Sequence, residues 1–558
     1  MENGVPSHVE NSVTTGESQA RSFSIKLWPP SENTRHMLVV RITDNLTTKS
    51  IFTQKYGSLS KEEAGQNAKR IEDMAYATAN HHHQNEPDGD GGSAVQLYAK
   101  ECSKQILEVL KRGPLKKEDP EIVVSQKSVS RDNLFDISKG QRSFIEAEEA
   151  EELLKPLKEI GNSYTKICFS NRSFGIESAR VSEPILTSVK SQLKEADLSD
   201  FIAGRPEAEA LEVISLFSSA LEGSDLRCLN LSNNALGEKG VRAFGPLLQS
   251  QNNLEELYLM NDGISVEAAR AVFELIPSTK KLKILHFHNN MTGDKGAIPI
   301  SEMVKSSPLL EDFRCSSTRI GSSGGVALSE ALGTCRNFKR LDLRDNMFGT
   351  EAGLTLSKSL SSHSHLTEVY LSYLNLEDSG ALPIMKSLKE TAPLLEVLEM
   401  AGNDISAEAA SELATCLISM QNLAKLNLAE NELKDEGIIH VSKAMEGNMR
   451  IKEIDVSNNS IGRSGARVIG QMVIQKPEFV LLNVNGNFIS DDGIEDLEKL
   501  FKQFPEKLGP LDENDPDGGQ EEEEGDEEAD SAAAAEGDED EEEDELESKL
   551  KKLEVEDE

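Results

Sequence analysis

The chain has 558 residues, 37% of them hydrophobic, and a formal net charge of −39. That length suffices for several ordinary domains or one extended repeat array with a substantial core, while the charge argues against electrostatic binding of nucleic acid or an anionic membrane and favours basic protein partners. No stretch approaches the roughly 20 apolar residues needed to span a bilayer, and MENGVPSHVENSVTTG lacks the apolar core of a signal peptide, so a soluble intracellular protein without membrane insertion is expected.

Residues 1–20 are polar and predicted to be disordered. In SIKLWPPSENTR the chain's only tryptophan, Trp28, precedes Pro29 and Pro30, with Ser31 placed to cap a helix. Apolar residues then recur at helical spacing through Met74 and Tyr98 to Leu110, which predicts a helical domain over 21–112. Trp28 has two readings, a plug in that domain's own core or part of a recognition surface. His81, His82 and His83 are adjacent and cannot all face one metal from a helix, and Gly89–Gly92 lacks the Lys and the following Ser or Thr of a phosphate loop. Both read as solvated turn residues. A polar, proline-punctuated linker follows over 113–140. The helical stretch FIEAEEAEELLKPL then suggests a cap, 141–163, on the exposed end of a repeat core.

From 164 to 508 the chain is periodic. In LRCLNLSNNAL, Leu226, Leu229, Leu231, Asn234 and Leu236 follow LxxLxLxxNxL, and the frame returns in LEELYLMNDGI and FKRLDLRDNMF. The asparagine column runs Asn234, Asp262, Asn290, Thr318, Asn346, Leu374, Asn403, Asn431, Asn459, Asn487, with steps of 28 residues and one of 29. This spacing predicts an α/β leucine-rich-repeat solenoid, a horseshoe of about 12 repeats with short strands on the concave side and helices on the convex side. Column asparagines such as Asn234 are structural by default, because the side chain can bond turn backbone groups that are otherwise buried unpaired. The outward strand row includes Asn230, Tyr258, His286, Arg314, Asp342 and Tyr370, a polar and partly aromatic surface suited to protein recognition. Tyr258 beside His286 reads as contact surface rather than as an acid–base pair.

One repeat is long. Continued backwards, the column falls on Phe201 and Arg172, and the step from Phe201 to Asn234 is 33 residues, so about five extra residues, GRPEA, follow the strand. An insertion there leaves strand stacking intact and projects a loop from the rim. In the bland alternative Pro206 merely starts a helix with Arg205 solvated beside it. Asn261 precedes the column and is expected to be exposed at its strand end, where Asn233, Asn289 and Asp345 fall in neighbouring repeats. At Asp262 the column holds an acid where the pattern wants asparagine, which leaves that turn in question. Six cysteines without a CxxC pair read as packed, reduced thiols. The last segment, 509–558, has 22 acidic residues and no Lys or Arg between Asp512 and Glu547, and is predicted to be a disordered acidic tail.

AGRPEAEALE, LSNNALGEKG, LEELYLMNDGIS and the acidic end together resemble the Ran GTPase-activating proteins, and SIKLWPPSENTR resembles the plant WPP domain. The resemblance implies a GTPase activator for Ran in its GTP-bound form, with roles in nucleocytoplasmic transport and mitosis. It implies no cofactor of its own, since GTP and Mg are bound by the partner. The family's horseshoe docks on Ran without an arginine finger, and an asparagine orders Ran's own glutamine. That asparagine matches Asn261 and the family's loop arginine matches Arg205, with docking or orientation as its implied role. Partner contacts are expected from Asn233, Asn234, Tyr258, Asn289 and Asp345. Trp28, Pro29 and Pro30 are expected to target coiled-coil anchors. This places the protein in the cytoplasm, at the cytoplasmic face of the nuclear envelope, and on the spindle and cell plate during division. A non-catalytic leucine-rich-repeat adaptor is the alternative that the residues leave open.

Overall fold

The computed structural model describes residues 29–30, scattered positions between 35 and 46, residues 61–85, scattered positions between 94 and 109, and residues 133–138 and 142–515. Trp28, residues 1–20, the Gly89–Gly92 turn, most of the 113–140 linker and the tail beyond 515 lie outside the described residues. The chain divides into two compact units, Met1–Ser128 and Val129–Glu558.

The first unit is built on the helix Lys61–Asn85. Its buried residues Ala64, Ala68, Ile71, Ala75 and Ala79 are three or four apart, the spacing that puts them on one face. They pack with Ile42, Leu46, Tyr98, Cys102 and Val109. Small alanines let neighbouring segments come close. One buried charge interrupts this face: Glu72 accepts from Arg35 at 2.6 and 2.8 Å and from the Tyr98 hydroxyl at 2.5 Å. Of the targeting residues, Pro29 is exposed and Pro30 half-buried.

The second unit is the solenoid. Its main sheet has 13 parallel strands in chain order, from Leu134–Asp136 to Leu481–Asn483. The first strand precedes the periodic region, leaving twelve for the repeats. Each strand is three residues long and presents its middle residue to the core: Leu229, Leu257, Leu285 and Phe313 lie in register and are buried. Convex helices close the other side. In Val266–Leu275, for example, Ala268, Ala269, Ala271 and Val272 are buried, and the Ser265 hydroxyl caps the helix by accepting from the Ala268 N–H at 3.3 Å.

The column holds adjacent repeats together. Asn346 is buried, accepts from the Thr318 and Ile320 N–H groups at 3.3 and 3.0 Å, and donates to the Cys315 and Leu343 carbonyls at 2.9 and 2.8 Å. One side chain thus satisfies backbone groups of two repeats where water cannot reach.

Both ends extend beyond the periodic sequence. Phe135, from within the expected linker, packs edge-on against Tyr164 and Phe169, so the sheet starts at Leu134. The helices Ala147–Leu153 and Lys155–Lys158 follow as the cap. At the other end Gly509 donates to the Leu482 carbonyl at 2.7 Å, and Asn514 accepts from the Asn487 N–H at 2.9 Å. Asn514 therefore closes the asparagine column inside what composition reads as tail.

Candidate functional site

The residue before each column position has a left-handed backbone: φ is +66° at Asn233, +57° at Asn261, +58° at Asn289 and +55° at Asp345. That conformation favours Asn and Asp over other non-glycine residues, so asparagine in this row is partly explained by the turn alone. All four side chains are exposed on the rim. Three of them are joined. Asn261 Nδ2 donates to Asn233 Oδ1 at 2.6 Å, and Asn289 Nδ2 donates to Asn261 Oδ1. The middle amide is held from both sides yet keeps one N–H and one carbonyl lone pair for a partner.

On one side of this ladder, Asn261, Asn289 and Asp345 line a cavity of about 610 Å³ together with Arg319, Met291 and Met347. Arg319 is exposed, and Met291 and Met347 expose half or more of their surface. Sequence reading passed over these three. They occupy the position just after the column in consecutive repeats, and the pattern is obscured because the column residue before Arg319 is Thr318.

Arg205 and Asn233 share a second cavity, of about 640 Å³, between the long loop and the next turn. The arginine does not project from it. Its side chain is only 13% exposed, its Nη2 donates to the Ser173 carbonyl at 2.7 Å, its Nε donates to the Ser173 hydroxyl at 3.2 Å, and its Nη1 pairs with Glu209 at 3.3 Å. The guanidinium also covers the Phe144 ring at 4.7 Å. Gly175 makes room, since a Cβ there would stand 2.9 Å from Nη1. Pro206 does precede the helix Glu207–Leu221, but Arg205 is neither solvated nor presented on a protruding loop. Both expectations are corrected by the backbone carbonyl of Ser173, which captures the guanidinium.

Asn234 is also corrected as a contact residue. It is buried, accepts from the Phe201 N–H at 3.0 Å and donates to the Leu198 and Leu231 carbonyls at 2.8 and 2.7 Å. Nothing of its amide faces outward. Tyr258 stays half-buried on the concave face, donating to Glu256 at 2.8 Å and standing edge-on to His286 at 5.0 Å. His286 meets Asp312 at 3.0 Å, and Arg314 pairs with the same carboxylate. Burial pushes the Asp312 carboxyl up, but the bonds from His286 and Arg314 outweigh it and hold it down at about 2. These concave side chains are engaged with each other. Among the described residues no helix is long and apolar enough to cross a membrane.

The WPP domain family model matches residues 24–120, and the Leucine Rich repeat family model matches residues 224–245, 391–414 and 419–441. RAN GTPase-activating protein 2 of Arabidopsis thaliana is 66% identical over 544 residues, covering 97% of this chain and 99% of that relative. RAN GTPase-activating protein 1 of the same plant is 64% identical over 241 residues, 43% of this chain and 44% of the relative. MFP1 attachment factor 1 of Solanum lycopersicum is 36% identical over 99 residues, 18% of this chain and 62% of the relative.

Proposed function

The chain belongs to the Ran GTPase-activating proteins, in the form that carries an N-terminal WPP domain, and on that premise we propose how its horseshoe promotes GTP hydrolysis on Ran. The protein is a GTPase activator, and GTP and Mg are carried by the partner. Hydrolysis needs an attacking water held in line and charge on the transferring phosphoryl group stabilised. A glutamine of the partner can hold that water only when its own side chain is fixed. Asn261 supplies the fixing surface: its free N–H and free carbonyl lone pair complement a glutamine amide, which offers the same two groups in reverse. The observation that carries this reading is the amide ladder, in which Asn233 and Asn289 orient Asn261 before any partner arrives. Orientation established in advance costs nothing at the moment of reaction.

Arg205 acts as a support in this scheme. Bonded to Ser173, it stiffens the long loop beside Asn233 and stays away from the phosphate, consistent with a mechanism that uses no arginine finger. Asn289 and Asp345 extend the contact rim, and Tyr258 adds area on the concave side. The WPP domain associates the protein with the nuclear envelope. We assign the finer placement, the cytoplasmic face and the spindle and cell plate, to coiled-coil anchors bound through the Trp28–Pro30 segment.

Single-turnover hydrolysis by Ran loaded with GTP, with and without this protein, tests the proposal. Acceleration by orders of magnitude that disappears in Asn261→Ala supports it. Binding of Ran without acceleration would give the adaptor reading instead.

A further inference from the structure

Asp262 follows Asn261 in the asparagine column, is fully buried, and has only one side-chain oxygen accounted for. Oδ1 accepts the Asn234 N–H at 2.9 Å, as Asn290 Oδ1 accepts the Asp262 N–H at 3.1 Å one repeat later. Oδ2 has no hydrogen-bond donor. By the repeat pattern it corresponds to the NH2 group of the column asparagines, since Oδ1 already fills the acceptor position. Asn290 donates to Phe287, three residues back, at 2.5 Å, and to Leu259, 31 residues back, at 2.7 Å. Asn346, Asn431, Asn459 and Asn487 repeat both offsets. From Asp262 the same offsets lead to the carbonyls of Leu259 and Leu231. An ionised oxygen aimed at two carbonyl oxygens is repelled by both, whereas an O–H can do the work of the missing amide.

We propose that Asp262 is kept as the neutral acid, donating its Oδ2 proton to these strand carbonyls, and that this proton makes it the positioning residue for Asn261. The second half rests on the role proposed above for Asn261. The surroundings fit the first half. The groups facing Asp262 are the Asn234 N–H from the preceding turn, the Asn290 amide from the following one, and the Gly237 N–H on its own carbonyl, at 2.9 Å. No charged side chain contributes to its titration, and burial holds its carboxyl well above the usual carboxylate range against the single opposing bond from Asn234. Half-buried Asp435 differs, because its Oδ1 accepts two N–H groups, from Gly462 and Gly465. Since Asn261 is held at φ +57° by the same turn, losing the Asp262 proton turns attraction into repulsion beneath it and disturbs its bonds to Asn233 and Asn289.

The test uses the full chain and Asp262→Asn, which restores the column amide and cannot ionise. Infrared difference spectra between the two proteins should show a protonated-acid carbonyl band at neutral pH that bleaches on alkalinisation. A carboxylate band at neutral pH would overturn the proposal. Stimulated hydrolysis by Ran is then followed across the same pH range as the ratio of wild-type to variant kcat, which cancels the partner's own titration. Above the ionisation seen in the spectra the ratio should fall by about tenfold per pH unit with KM unchanged. A ratio that stays constant while the band bleaches overturns the positioning role. Absence of stimulation by both proteins at every pH overturns the functional reading, and the infrared band still decides where the proton is.

Discussion

Asn261 Nδ2 lies 2.6 Å from Asn233 Oδ1, so the amide assigned to the partner's glutamine leans on another amide one repeat away. The contact makes Asn233 a support with a graded effect. Asn261→Ala is expected to lower stimulated single-turnover hydrolysis by roughly 10²–10³-fold, the scale of losing a preorganised polar group at the reacting centre, with a stability loss of only about 1 kcal/mol, because the side chain is exposed and alanine is merely disfavoured at φ +57°. Asn233→Ala should lower it by about tenfold or less, in kcat rather than KM. Equal losses in the two variants would refute the division of roles.

Arg205 permits a test that leaves the arginine in place. Gly175→Ala puts a Cβ 2.9 Å from Nη1 and should dislodge the guanidinium from Ser173. If the folded-back position supports the loop, Gly175→Ala and Arg205→Ala lower activity together, and Arg205→Ala also costs about 1–3 kcal/mol through the exposed Phe144 ring and the abandoned Ser173 carbonyl. If the arginine must swing out to act, Gly175→Ala should leave the rate unchanged or raise it. Stopped-flow hydrolysis beside thermal unfolding separates the two outcomes.

The horseshoe was legible because buried positions recur every 28 residues and each kind of position tolerates few side chains. Leu374 in the column escaped the pattern without harm: it is buried, and Asn403 still bonds its N–H at 3.1 Å. The ends were harder to read, since Leu134–Asp136 and Asn514 each belong to half a repeat and no period marks them. Arg205 illustrates a deeper limit. Its position depends on Phe144, Ser173 and Gly175, which lie about 30 to 60 residues earlier and meet it only once the solenoid has stacked. The same holds for Arg319, which joins Met291 and Met347 only through the register of three successive turns.

Column asparagines predict stability in proportion to the groups they satisfy. Asn346→Ala removes the acceptor for Thr318 and Ile320 and the donor to Cys315 and Leu343. Several buried backbone groups lose partners at once, so a destabilisation of about 2–4 kcal/mol is expected. Exposed Asn289→Ala strands no buried group and should cost only about 1 kcal/mol, from placing alanine at φ +58°. Urea denaturation of both variants checks the contrast.

Asp262 predicts a pH dependence of stability whose sign follows from linkage. Its folded-state carboxyl is raised by burial, whereas in the unfolded chain it ionises near about 3.9. The folded state therefore binds the extra proton, and stability falls as pH rises from the unfolded value up to the folded one. Asp262→Asn has no such term. Its melting temperature should exceed that of the wild type at neutral pH, with a gap that widens from about pH 4 upward. A gap that narrows would mean the carboxylate is the folded form.

The N-terminal unit offers the last test, because its compact core is separate from that of the repeats. If localisation and activation reside in separate units, residues 1–128 alone should concentrate at the nuclear envelope, and residues 129–558 should stimulate Ran yet spread through the cytoplasm. Within the first unit, Glu72 is buried between Arg35 and Tyr98. Glu72→Ala removes the buried carboxylate that both the Arg35 guanidinium and the Tyr98 hydroxyl bond and should cost about 3–5 kcal/mol, the usual effect of breaking a buried pair from one side. That variant should therefore lose the envelope by unfolding the helical unit, visible as lost circular dichroism in the isolated fragment, while the full chain keeps its activity in solution. Replacing Trp28 and Pro29 by alanine should release the protein with the helical signal intact. A Trp28 and Pro29 double variant that unfolds as Glu72→Ala does would make the tryptophan a core plug and end its reading as a targeting surface.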